Sequence, residues 1–133
     1  MIPDHLAEAL QLAANVGQLF VATADAKGIP HLAIAERISL EGEDTVSVTG
    51  WFCPRTAENV DENARISLVV WDERRDAGFQ LIGEVTQVLD LAMLDGYIPG
   101  DTETVPQIER KLVVRVNHVL TFSHAHHSDI DLA

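Results

Sequence analysis

The chain reads as one mainly β domain, a small antiparallel β-barrel of five or six strands flanked by short helices. Three observations predict it. Short runs rich in Val, Ile, Thr and aromatic residues recur along the sequence, Gly-containing turns separate them, and few stretches carry helical spacing. With 133 residues there is room for one core and no shift of composition marks a boundary, so residues 1–133 are expected to form a single domain.

The elements follow in order. Asp4 stands ahead of Leu6, Ala7, Leu10, Ala13 and Ala14, a helical spacing with an N-cap residue in front, and Gly17 lies where a helix stops. Gln18 to Thr23 is apolar and β-branched or aromatic. The turn Asp25-Ala26-Lys27-Gly28 then leads into Pro30-His31-Leu32-Ala33-Ile34-Ala35, which predicts two strands and a tight hairpin. Ile38, Leu40, the acidic turn Glu41-Gly42-Glu43-Asp44 and the alternating Thr45-Val46-Ser47-Val48-Thr49 predict a second return, ending with Trp51 and Arg55 on one rim. A short helix is expected from Arg55 to Asn63. Arg65 to Trp71 is a continuous apolar strand, the pattern of burial on both faces. After the polar loop Asp72–Ala77, Gly78 to Val88 alternates as a long strand in which Gly83 marks a bulge or a close backbone approach. Asp90 to Glu109 reads as irregular, with a helical turn over Leu91–Leu94, and Lys111 to Phe122 closes the fold with Val114 and Val116 turned to the core.

The formal charge of −12 excludes nucleic acid, which is bound by clusters of Lys and Arg. No apolar run approaches the roughly 20 residues of a membrane span, and the start Met1-Ile2-Pro3-Asp4 has no basic region ahead of an apolar one, so a soluble cytoplasmic protein is expected. Cys53 is the one cysteine; no paired His is evident in sequence, and a buried or interface thiol is the reading preferred to a nucleophile. His31 reads as a turn residue and His118 as a structural histidine. The imidazoles of the tail Ser123-His124-Ala125-His126-His127 lack the four fixed ligands of a structural zinc site, and no metal is expected. The acidic loops lack the spacing of a calcium-binding loop, and no Ser-His-Asp order supports hydrolysis.

The stretch Trp51-Phe52-Cys53-Pro54-Arg55-Thr56-Ala57-Glu58-Asn59-Val60 carries the most chemistry. A β-run stops at Pro54 and a helix starts, so free N–H groups and the positive end of the helix dipole meet the guanidinium of Arg55 and the hydroxyl of Thr56. This is the composition of a phosphate seat; taken alone, it is equally that of an ordinary helix start with one surface Arg.

Thr23-x-Asp25-x-x-Gly28-x-Pro30-His31, then Arg55-Thr56-x-x-Asn59-Val60-x-x-Asn63-x-Arg65, then Phe79-x-Leu81-x-Gly83-x-Val85, taken in that order, resemble the pyridoxamine 5'-phosphate oxidase-like, FMN-binding split-barrel superfamily. The likeness covers most of the chain and is greatest to its small stand-alone FMN-binding proteins. It implies a split β-barrel of five to six antiparallel strands in a Greek-key order, and a homodimer with one FMN in each of two clefts at the interface. Carried over by position, Arg55 and Thr56 would hold the phosphate, and Thr49, Gly50 and Trp51 would line the ribityl chain and ring. Ala33, Ile34, Ala35 and Glu36 would run beneath the ring, Asn59 would fix the helix or reach the phosphate through water, and Phe79 or Gln80 would close the partner's cleft. The activity implied is that of an FMN-dependent oxidoreductase or electron-transfer protein, its partners a small redox molecule or an electron-transfer protein. Many relatives carry Lys where Thr56 stands, and Glu36 replaces a residue that is commonly neutral. The Arg and His with which a true pyridoxamine oxidase grips its substrate have no match. The alternative is a flavin-poor sensor, carrier or interaction module, or a member using F420 or haem.

Overall fold

The computed structural model describes residues 2–51, 53–94, 107–126 and 128–132. Its elements are α1 (Ile2–Val16), β1 (Leu19–Ala24), β2 (Pro30–Ala35), β3 (Arg37–Leu40), β4 (Thr45–Thr49), α2 (Pro54–Glu62), β5 (Arg65–Asp72), β6 (Ala77–Leu94) and β7 (Gln107–Thr121). The seven strands form one antiparallel sheet in the order β2-β1-β5-β6-β7-β4-β3. The strand count exceeds the expected five or six because Arg37–Leu40, only four residues long, is a strand in its own right.

The order explains the shape. β2 and β3 stand at opposite ends of it, yet Glu36 alone separates them in the chain, so the two edges must meet and the sheet must curl into a half-barrel. Glu36 N–H donates to the Thr49 carbonyl at 3.2 Å, which stitches this seam. β4 pairs with β7 rather than with its successor β5, the crossover of a Greek-key arrangement. Inside the curl lies a core that includes Leu19, Val21, Val46, Val48, Leu68, Val70, Leu81, Leu112 and Val114.

α1 lays Leu6, Ala9, Leu12 and Ala13 against this core, the i, i+3 spacing of one helical face. It begins two residues before the expected cap, so Asp4 sits in the first turn, where the dipole favours it. It ends where Gly17, at φ +88°, donates to the Ala13 carbonyl. The β1–β2 turn is held by Asp25, whose Oδ1 accepts from the N–H groups of Lys27 and Ile29, each at 2.9 Å.

Two readings are corrected. Leu91–Leu94 is not a helical turn but the end of β6, paired with β7 through Ala92↔Glu109 and Leu94↔Gln107. Residues 95–106, the rest of the stretch read as irregular, lie outside the described residues. β5 is fully buried on one face only: Ile66, Leu68 and Val70 face the core, while Ser67, Val69 and Trp71 are half-buried on the outer face. Gly83 is both a bulge and a close approach, since the β6–β7 register shifts there and an added Cβ would stand 2.0 Å from the Arg115 carbonyl oxygen. Beyond β4, the β7 edge is closed by the chain's own tail: Leu132 N–H donates to Val119 and Thr121 N–H to Ile130. There His118 Nδ1 lies 2.9 Å from Asp131.

Candidate functional site

Helix α2 is short, and its sequence dictates how it sits. Pro54 opens it, and Cys53 at the N-cap has extended backbone and makes no side-chain cap bond, so the first-turn N–H groups receive no bond from it. Thr56, Asn59 and Val60, at i, i+3 and i+4, form the buried face. Asn59 ties that face to the sheet, its Nδ2 donating to Thr23 Oγ1 at 3.0 Å. Asn63 closes the helix by donating its N–H to the Asn59 carbonyl at 2.7 Å.

Arg55 projects from the flank of the helix, on the side that also carries Glu58 and Glu62. Its guanidinium is exposed and makes no hydrogen bond or ion pair among the described residues. It borders a cleft of 310 Å³ lined also by Asp25, Ile29, Pro30, His31, Glu58, Asn59 and Glu62. Thr56 is wholly buried and its hydroxyl has no partner among the described residues. Helical Cα–Cβ bonds tilt toward the N-terminus, so this hydroxyl leans toward the first turn. An unsatisfied buried hydroxyl costs about 1–3 kcal/mol. A free guanidinium and an unsatisfied hydroxyl at one helix N-terminus fit an anion such as a phosphate group.

The remaining sequence-predicted residues fall into two places. Thr49, Gly50 and Glu36 meet at the seam: Gly50, at φ +76°, follows Thr49 so close to Glu36 that a Cβ there would be 2.6 Å from Glu36 Cβ. Between seam and cleft runs β2, with Ala33 half-buried, Ile34 exposed and Ala35 fully buried. Trp51 is not on the rim. Its indole is 1% exposed and donates to the Val48 carbonyl at 3.2 Å, so the side chain belongs to the core. Phe79 packs against the core, whereas Gln80 lies on the outer face and donates to Ser67 Oγ at 2.8 Å.

One pairing escaped the sequence. Cys53 Sγ stands 3.7 Å from His31 Nε2, so the cysteine has a histidine neighbour after all and His31 belongs to the wall of the cleft. The two are 22 positions apart in the chain, and only the fold brings them together. No group of three metal-ligating side chains occurs among the described residues; His124 and His126 are exposed, and His127 lies outside them. No helix among the described residues is long and apolar enough to cross a membrane.

A curled antiparallel half-barrel carrying an anion-suited helix N-terminus beside its first hairpin has the architecture of the split-barrel flavoproteins. The chain belongs to the pyridoxamine 5'-phosphate oxidase family, whose model matches residues 2–119. No curated protein matches it in sequence. Among solved structures it is similar to HupZ of Group A Streptococcus, with 18% identity, a TM-score of 0.67 and coverage of 93% of this chain and 97% of that one. It is similar also to an FMN-binding protein from Syntrophomonas wolfei, with 17% identity, a TM-score of 0.63 and coverage of 93% and 90%. An F420 reductase aligns with 15% identity, a TM-score of 0.54 and coverage of 77% and 87%. At these identities the likeness establishes the fold.

Proposed function

We propose that this chain binds FMN and acts as an oxidoreductase or electron-transfer protein, working as a homodimer with the cofactor at the interface. The observation that carries the reading is the free Arg55 guanidinium at the start of α2, followed in the chain by the unsatisfied, buried Thr56 hydroxyl, in a member of a family with FMN-binding relatives. FMN, when bound, supplies the redox chemistry. The protein supplies position: Arg55 and the first-turn N–H groups hold the phosphate, Asn59 keeps α2 on the sheet, and β2 together with the Thr49–Gly50 seam offers the surface beside it. No catalytic side chain is required.

The dimer has its own support. On the outer face of β2, β1, β5 and β6 stand Leu32, Ile34, Phe20, Val69, Trp71 and Ile82, brought side by side by pairings such as Phe20↔Ile34 and Phe20↔Val69. Leu32 is 65% and Ile34 55% exposed, an apolar stripe that a second copy would cover.

A second reading, a flavin-poor sensor or carrier, is favoured by the cleft itself, in which Asp25, Glu58 and Glu62 share the lining with Arg55 as its one Lys or Arg. The same carboxylates disfavour the long anionic tail of F420. The test is a visible absorption spectrum after FMN is added and the excess removed, on the wild type and on Arg55→Ala. A flavin band retained by the wild type and largely lost in the variant is expected. A colourless wild type would sink the flavoprotein reading.

A further inference from the structure

We propose that Cys53 is a nucleophilic thiol, set up by His31 and by the start of α2 to react with a small uncharged oxidant of the hydroperoxide class. The reaction requires no flavin and lies beyond the activity proposed above. His31 Nε2 stands 3.7 Å from Cys53 Sγ, within reach of a hydrogen bond to sulfur. His31 Nδ1 is buried and has no partner among the described residues. A neutral imidazole carries one proton, on one nitrogen or the other. On Nδ1 it would be a buried donor without an acceptor; on Nε2 it points at Sγ. Buried N–H groups without a partner are rarer in proteins than under-satisfied acceptors, which assigns the proton to Nε2. The sulfur is then the acceptor, and the imidazole stands ready to stabilise the thiolate, the form that attacks.

The helix works in the same direction. Cys53 is the N-cap of α2, so negative charge on its side chain lies at the positive end of the helix dipole. Cys53 is only half-buried, which leaves access for a small molecule. On the His31 side the cleft sets Asp25, Glu58 and Glu62 against Arg55, a lining that disfavours anionic reagents and leaves uncharged ones unhindered. Attack of the thiolate on the terminal oxygen of a hydroperoxide forms an S–O bond and breaks the O–O bond. The sulfur gives up an electron pair and becomes a sulfenic acid, while the other oxygen leaves as hydroxide or alkoxide and takes a proton from water. No second cysteine exists in the chain to form a disulfide with it. Reversal therefore falls to an external thiol, which condenses with the sulfenic acid to a mixed disulfide and water before a second thiol displaces Cys53.

The experiment treats the purified protein at neutral pH with iodoacetamide, an uncharged alkylating agent. Because Cys53 is the only cysteine, the rate of its modification is read from the intact mass. Wild type should react about tenfold faster folded than unfolded in urea, the weight of one hydrogen bond to a charged group. His31→Leu, shown by circular dichroism to be folded, should lose that advantage. Hydrogen peroxide followed by dimedone, which traps sulfenic acids, should label the folded wild type. A folded wild type that reacts no faster than the unfolded chain overturns the proposal, whether or not the variant folds. A folded His31→Leu as fast as wild type removes the imidazole from it, and a wild type that takes up no dimedone after peroxide removes the oxidant.

Discussion

Asn59→Ala should cut the polar tie between α2 and the sheet. Asn59 is 5% exposed and Thr23 4%, and the amide of one donates to the hydroxyl of the other at 3.0 Å. Truncation leaves the Thr23 hydroxyl buried without that donor, a cost of about 1–3 kcal/mol. For 133 residues the unfolding entropy near the midpoint is about 0.28 kcal/mol/K, so a loss of about 2 kcal/mol lowers the melting temperature by about 7 °C. Thr23→Val removes the other partner, and the double variant should cost less than the sum of the singles by about 1 kcal/mol. Urea denaturation of the four proteins measures the cycle. Single costs that add to within about 0.3 kcal/mol would refute the coupling and leave α2 held by apolar packing alone.

Gly83→Ala places a Cβ against the Arg115 carbonyl, and because the obstacle is backbone the strand must shift; a loss of more than about 3 kcal/mol in chemical denaturation is expected, and a near-neutral substitution would contradict the close approach. Ile34→Asp puts charge into the outer apolar stripe and should yield monomers by light scattering, whereas an unchanged dimer would move the interface elsewhere. Asp76 is held below its ordinary value of 3.8 by the hydrogen bond from the His124 N–H and then by that from the Trp71 indole. A depressed carboxylate stabilises the fold above the unfolded value and loses that contribution as the pH falls through the folded one. Asp76→Asn should therefore be less stable than wild type at pH 7, with the gap narrowing as the pH falls below 3.8; a gap that does not change with pH would remove the charge from the explanation. Glu58→Gln should tighten FMN binding, and a weaker complex would assign Glu58 a holding role.

Much of the fold is local chemistry and could be read from the chain. Gly17 ends α1 at positive φ, Asp25 and Gly28 make the first turn, and Pro54 opens α2, because each depends on a few adjacent residues. What escaped depends on residues far apart. Leu91-Ala92-Met93-Leu94 is composed of helix formers, yet β7 supplies a continuous partner and pairing outweighs propensity. Trp51 is four residues from Arg55, but Gly50 at φ +76° turns the chain and the indole drops into the core. The Cys53–His31 pair exists only because the loop after β4 passes over β2. Arg55 was legible as a free cation at a helix start; what was not is the cleft around it, in which Asp25 of the β1–β2 turn joins Glu58 and Glu62 from the same side of α2.

Those carboxylates decide whether so acidic a chain can hold an anion. Four of its nine Lys and Arg residues are engaged: Arg75 with Asp72, Arg110 with Asp90, Lys111 with Glu41 and Arg115 with Glu84. Distant acids matter little, because exposed charges beyond a Debye length of about 8 Å are screened at physiological salt. Within the cleft, Asp25 already accepts two backbone N–H bonds and Glu62 accepts the Ala26 N–H at 3.1 Å, so both have partners that spread their charge. Glu58 alone of the three has no partner among the described residues, although it stands one turn from Arg55 on the same helix. A phosphate held there would have to win Arg55 from one neighbouring carboxylate, with the helix N-terminus as its further source of donors. A phosphate dianion placed there would meet the guanidinium and the first-turn N–H groups together, whereas Glu58 forms no ion pair with Arg55 among the described residues.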